Sequence, residues 1–218
     1  MVDLIGRPPL SAKAIDGQHG PEVYIVSSAA SLLEGDELSI RVRVEADCHL
    51  TVRTVAAQMV HPCPGGGFAS LLIDADLAAR STLVWSPEPT VVSGGADFRS
   101  STTIALATGA HATWQEELVL GRSGEAPSTA QVRTKLHVDL DGRPLLRDAL
   151  DTRRPGSHGP AVLGDARYLG TFLALGERNH DPDFLQLAAE GSVKRVACAD
   201  VASGRSHRPA AAGRRGLG

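Results

Sequence analysis

Ile73-Asp74-Ala75-Asp76-Leu77, a five-residue gap, then Leu83-Val84-Trp85 is the stretch that sets the rhythm of this chain. Apolar residues fall at every second position in each arm, the period of a strand with one buried face. The same spacing recurs upstream in Ile40, Val42, Val44, Leu50 and Val52. It recurs downstream in Thr102, Ile104, Leu106, Ala112 and Trp114. The anchors Val44, Leu77 and Leu106 are 33 and 29 residues apart. Each copy is predicted to be strand, short turn, strand. One such unit cannot bury its apolar face alone, whereas stacked copies can. Leu136, Val138 and Leu140, followed by Asp141-Gly142-Arg143-Pro144, form a weaker fourth copy. The expected fold is all-β with little helix: a layered, mostly antiparallel, β-helix-like or solenoid-like stack of hairpins. A plain sandwich satisfies the same periodicity.

Just outside the second copy lies Trp85-Ser86-Pro87-Glu88-Pro89-Thr90. Pro87 fixes its own φ, and Pro89 pushes Glu88 out of the helical region. Glu88 is therefore expected on a stiff, extended backbone. Glu117 takes the same place in the third copy and Val55 in the first. Two carboxylates at equivalent places should share one edge of the stack, either as a solvated edge or as an acidic strip for a partner or a cation. In Gly121-Arg122-Ser123-Gly124-Glu125, the glycines permit a tight turn that presents Arg122 and Glu125. Arg122 is an interface anchor or a surface charge.

The remainder divides simply. Residues 1–20 read as irregular, and Val23 to Val26 as a short strand. His61-Pro62-Cys63-Pro64-Gly65-Gly66-Gly67 is a loop. Ala126 to Ala130 is a flexible connector, and residues 131–151 a hairpin around Asp141-Gly142. A strand falls within Ala161 to Leu175, with Gly164 and Gly170 as bulges or turns. Phe184 to Cys198 is read as a hairpin turning at Glu190-Gly191-Ser192. Residues 1–202 are expected to be a single domain and residues 203–218 a disordered low-complexity tail.

The 218 residues suffice for a sizeable core, 42% of them hydrophobic, but aromatics are only 4%, so aliphatic side chains must fill it. A net charge of −3 argues against a nucleic-acid binder. No run approaches the ~20 apolar residues of a membrane span. Three widely separated cysteines suggest a reducing compartment, and a cytoplasmic location is expected. No nucleophile elbow, phosphate-binding loop or His-Glu-x-x-His motif occurs, so no catalytic residue is assigned. His61 and Cys63 are weak metal candidates. His49 and His111 occupy equivalent turns of the repeat.

Five segments in order make the chain resemble the urease accessory protein family UreD (UreH). They are Leu33-Glu34-Gly35-Asp36, Thr54-Val55-Ala56-Ala57-Gln58, Trp85 to Thr90, Glu116 to Glu125, and Asp141-Gly142-Arg143-Pro144-Leu145. The resemblance covers residues 22–175. It implies a β-helix-like, non-catalytic maturation factor that binds UreF and, through it, the GTPase UreG. That complex docks on apo-urease and assists nickel insertion, with Ni²⁺ held only in transit and no tightly bound cofactor. Glu88, Glu116, Glu117 and Glu125 are then the candidates for the ion's path, and Arg122 for a partner contact. Ala29-Ala30 stands where the family usually has Gly-Gly, and the C-terminal region is short. Two other readings remain. One is a metal-dependent, cupin-like β-fold enzyme drawing ligands from His49, His61, His111, Glu88 and Glu117. The other is an adaptor β-solenoid with no metal role.

Overall fold

The computed structural model describes residues 2–18, 20–29 and 32–209. Among them, the strands form two facing sheets. The first sheet contains β1 (Leu10–Gly17), β2 (Gly20–Ser27), β4 (His49–Thr54), β7 (Thr82–Ser86), β10 (His111–Leu120), β13 (Tyr168–Leu175), β15 (Gly191–Cys198) and β14 (Leu185–Gln186), in that order. Short strands β5 (Gln58–Val60) and β8 (Thr90–Val92) join it beside β10. The second sheet runs β12 (Arg143–Asp151), β11 (Gln131–Leu140), β9 (Asp97–Leu106), β6 (Ala69–Leu77), β3 (Glu37–Val44). One helix is short: α1 (Val201–Ser206).

The all-β, solenoid-like stack is as the repeat requires, but its units are not hairpins. The two arms of each unit pair with different sheets, and like arms pair in parallel. Val44 lies opposite Leu77, Leu77 opposite Leu106, and Leu106 opposite Leu140. On the other sheet, Val52 lies opposite Trp85, and Trp85 opposite Trp114. The turns explain this. Asp47, Arg80 and Gly109, each three residues past its anchor, have φ of 58°, 57° and 72°. That left-handed residue swings the chain across to the opposite sheet instead of back beside its own arm. Successive turns are tied by the Asp47–Arg80 ion pair at 2.6 Å and by Thr108 Oγ1 donating to Asp141 Oδ1 at 2.8 Å.

Antiparallel pairing is confined to the flanks: β1–β2, β11–β12, β10–β13, β13–β15 and β14–β15. The hairpin at Asp141-Gly142 forms as expected. One also forms within residues 184–198, but it turns at residues 187–190 and not at Glu190-Gly191-Ser192, because Gly191 and Ser192 already pair in β15. Three further expectations are corrected. Residues 10–17 are a strand, not irregular, because β1 completes an eight-residue ladder with β2. The 126–130 connector is a tight 3₁₀ turn, Pro127–Thr129. Residues 203–209 are not a featureless tail: Asp200 caps α1, its Oδ2 accepting from Ser203 N at 2.6 Å. Residues 210–218 lie outside the described residues.

Two apolar cores lie between the sheets. One contains Leu83, Trp85, Ile104, Trp114, Val138 and Leu175. The other contains Leu32, Val60, Val92, Phe98, Leu120 and Val132. Trp85 and Trp114 stack with ring centroids 4.8 Å apart, as their opposed registers demand. Leu83 is fully buried in the first core between Leu50 and Ala112. Leu83→Ala is expected to cost about 2–5 kcal/mol in urea unfolding. A loss well under about 1 kcal/mol would mean that the stacked arms do not carry the core.

Candidate functional site

The two cores are separated by a cavity of about 540 Å³. Its position follows from the inward column of β9: Phe98, Ser100, Thr102, Ile104, with two small polar residues between large apolar ones. On β10 the inward residues are Trp114, Glu116 and Leu118, so Glu116 projects its carboxylate into this space. Thr102 Oγ1 donates to Glu116 Oε1 at 2.6 Å, and Trp114 Nε1 donates to it at 3.1 Å. Enclosure by protein raises the carboxyl's pKa, although these two donors and the charge of Arg195 oppose the rise.

Register defines the polar part of the cavity. Glu116, Thr171 and Arg195 are cross-strand neighbours in the first sheet. Thr102, Leu136 and Asp148 are cross-strand neighbours in the second. The two rows face each other. The Thr102–Glu116 hydrogen bond joins them at one end and an Asp148–Arg195 ion pair at the other. Trp85 lines the same cavity, and its indole N–H has no partner among the described residues.

Glu117 follows Glu116 and points the other way. Its side chain is fully enclosed on the outer face of the first sheet. Tyr168 donates its hydroxyl to Oε1, Gln115 Nε2 donates to Oε2 at 2.9 Å, and the Arg208 guanidinium forks onto both oxygens, Nε meeting Oε1 at 2.7 Å. Burial and this hydrogen bond push the Tyr168 phenol well above its ordinary pKa. The bond to Glu117 likewise holds Arg208 more firmly protonated. Gly170, opposite Glu117 in unbroken register and not a bulge, leaves room for the phenol: a Cβ there would lie 3.0 Å from the Tyr168 hydroxyl. A Cβ at Gly204 would strike the Tyr168 ring, so α1 lies directly on it.

Glu88 sits where β7 gives way to β8. Its N–H donates to Thr54 Oγ1 at 2.8 Å, and Gln115 Nε2 donates to the neighbouring Pro87 carbonyl at 3.2 Å. Trp85 pairs with Trp114 but Thr90 pairs with Leu118, so one extra residue is accommodated at this break. Glu88 binds Arg205 at 2.7 Å and lies 3.8 Å from Arg208. Glu88 and Glu117 thus converge on the same arginine, on the outer face of the sheet and not at an edge of the stack.

Arg122 and Glu125 satisfy each other. Glu125 accepts from the Arg122 backbone N–H and side chain and, at 2.7 Å, from the Gly94 N–H of a neighbouring turn. The Arg122 side chain is the largest cause of a Glu125 pKa lowered to about 2. Arg167 secures the same turn by donating to the carbonyls of Leu120, Gly121, Arg122 and Glu125. His61 and Cys63 lie in the loop after β5, where the thiol approaches the carbonyls of His61 at 3.8 Å and Asp97 at 4.0 Å. His49 and His111 both pair across to Thr82 at the turn end of the stack. Among the described residues no three His, Cys, Asp or Glu side chains gather as a metal cage. The convergence required of a cupin-like enzyme is therefore not found there.

Sequence reasoning missed Thr102, Asp148, Arg167, Tyr168, Arg195, Arg205 and Arg208. Thr102 carried a signal: it is the polar member of a column otherwise made of Ile40, Ile73 and Leu136. The arginines carried none, because their partners are distant in sequence.

The architecture defines a class: a two-sheet parallel coil with a carboxylate-bearing cavity inside and arginine-capped carboxylates outside. The chain belongs to the UreD urease accessory protein family, whose model matches residues 7–214. It is 38% identical to a urease accessory protein UreD of Frankia casuarinae over 78% of this chain and 55% of that one. It is 38% identical to UreD 1 of Saccharopolyspora erythraea over 83% of this chain and 71% of that one. A UreD of Parafrankia is 37% identical over 71% of this chain and 59% of its own length. The chain thus spans a little over half the length of several curated relatives it matches. No helix among the described residues is long and apolar enough to cross a membrane.

Two measurements follow from this geometry. The Glu125 pKa is lowered from 4.5 to about 2, so its ionised form stabilises the fold above pH 4.5 and that contribution is lost as pH falls towards 2. The melting-temperature gap between wild type and Glu125→Gln should be largest near neutral pH and close across that window. A gap independent of pH would contradict the assignment. Arg208→Ala strands an enclosed carboxylate and should cost about 1–3 kcal/mol in urea unfolding. An unchanged midpoint would mean that Arg208 does not hold Glu117.

Proposed function

We propose that this chain is a non-catalytic scaffold of urease maturation. It binds UreF and, through UreF, the GTPase UreG; the assembly docks on apo-urease and assists insertion of Ni²⁺ into its metallocentre. The work belongs to the cytoplasm, a setting consistent with free Cys48, Cys63 and Cys198. Membership of the UreD family supports the role. The observation that carries it in this molecule is Glu116, a carboxylate placed inside the cavity between the sheets. Nickel here is cargo. Oxygen donors grip Ni²⁺ less firmly than imidazole or thiolate, so a lone carboxylate with hydroxyl neighbours can receive the ion and release it. Glu116 is the residue we assign to the path; Glu88 and Glu117 lie beside it but are held by Arg205 and Arg208, and their part in the path is tested together with it. The self-satisfied Arg122–Glu125 turn is assigned to partner contact.

The test is co-purification with UreF and apo-urease, followed by nickel-dependent urease activation with and without the chain. Glu116→Gln keeps the Thr102 and Trp114 hydrogen bonds while removing the charge. It should leave complex formation intact and lower activation several-fold. Full activation by Glu116→Gln and by Glu88→Ala/Glu117→Ala, with the complex still formed, would make the chain an adaptor with no metal role. Failure to associate with both partners would reject the scaffold.

A further inference from the structure

We propose that Arg195, pinned by Asp148 at the open side between the two sheets, is the charge gate of the inter-sheet cavity and determines how readily a cation reaches Glu116. This rests on reading the cavity as a passage for a divalent cation. β12 is the last strand of the second sheet. Beyond β15 the first sheet continues only through β14, which pairs with Ser192 and Val193. At the level of Arg195, β15 is therefore itself an edge among the described strands. No described strand closes the sandwich on this side; the Asp148–Arg195 ion pair does. Both side chains line the cavity, and both keep a solvent-exposed part, 28% and 43%.

The register gives the gate its reach. Arg195, Thr171 and Glu116 stand side by side across β15, β13 and β10. Two strand spacings, about 10 Å between backbones, separate the guanidinium-bearing strand from the carboxylate-bearing one. Thr171 between them is small, so a long arginine can lean along the row towards Glu116. A fixed positive charge at the rim of a low-dielectric space raises the energy of an incoming cation and lowers that of an anion. Asp148 counters that field and fixes where the charge sits. Removing Arg195 and removing Asp148 should therefore change cation access in opposite directions, which a purely steric plug would not do.

The chain supplies its own reporter. Its two tryptophans are Trp85, which lines the cavity, and Trp114, which stacks on Trp85 and donates to Glu116. Their emission is quenched in the full chain with Cs⁺ and, in parallel, with neutral acrylamide. Arg195→Gln should raise the ratio of Cs⁺ to acrylamide quenching constants roughly two-fold or more. Asp148→Asn should lower it, and Arg195→Lys, which keeps the charge, should match wild type. Equal changes for both quenchers, no change in either variant, or Arg195→Lys behaving like Arg195→Gln would overturn the gate. Because Asp148→Asn retains the arginine, it tests the idea even if Arg195→Gln fails to fold. Neither nickel nor a partner enters this measurement, so failure of the gate shows in quenching, whereas failure of the maturation role shows in the activation assay.

Discussion

Everything in this molecule hangs on like residues stacking on like positions in neighbouring coils. Val44, Leu77, Leu106 and Leu140 form one column, and Val52, Trp85 and Trp114 another. Parallel, in-register strands enforce such columns, because a slip of one residue would turn each apolar face outward. The two tryptophans show the constraint most directly. Their stacking at 4.8 Å places two adjacent coils one strand spacing apart. The left-handed residues Asp47, Arg80 and Gly109 then fix where each coil crosses between sheets. With columns and crossings set, each side chain's depth and face follow.

The cavity is a consequence of the same rule. A column of Ile40, Ile73, Thr102 and Leu136 leaves space at its polar member, and Ser100 beside it in β9 widens that space. Glu116 faces this gap because it lies two residues beyond Trp114 on an alternating strand. An enclosed carboxylate is costly unless hydrogen-bonded, and Thr102 and Trp114 supply the donors. Each of these residues serves the coil and the site together. The columns that hold the sheets apart also fix the donors around the carboxylate.

The repeat was legible down to the residue: the copies aligned by spacing are the ones paired in the ladders. What spacing could not reveal was pairing partner. Strand, turn, strand describes a hairpin and a crossing between sheets equally well, since both have period-2 arms and a short polar link. The difference rests on one backbone dihedral per turn, and Asp47 and Arg80 adopt it without being glycine. The acidic positions were legible as positions, not as roles. Glu125 looked like a presented carboxylate, yet three N–H donors of Arg122 and one of Gly94 consume it. Arg205 and Arg208 stood in a segment whose composition suggested no structure. Their order comes from Glu88 and Glu117, more than ninety residues earlier in the chain.

Adjacent Glu116 and Glu117 show how a strand separates two uses of one chemistry. Alternation points the first towards Thr102 and Trp114 between the sheets and the second towards Tyr168 and Arg208, so they have different partners. Outside, Arg208 neutralises Glu117 directly, and Tyr168 and Gln115 complete its hydrogen bonds, leaving a closed structural knot. Inside, Glu116 has only uncharged donors in contact, and its nearest compensating charge, Arg195, is already engaged with Asp148. The inner carboxyl therefore has no ion-pair partner in contact and is biased by its burial towards the neutral form, whereas the outer one is ion-paired with Arg208. On the proposed path, only the inner one can meet a cation without first breaking an ion pair.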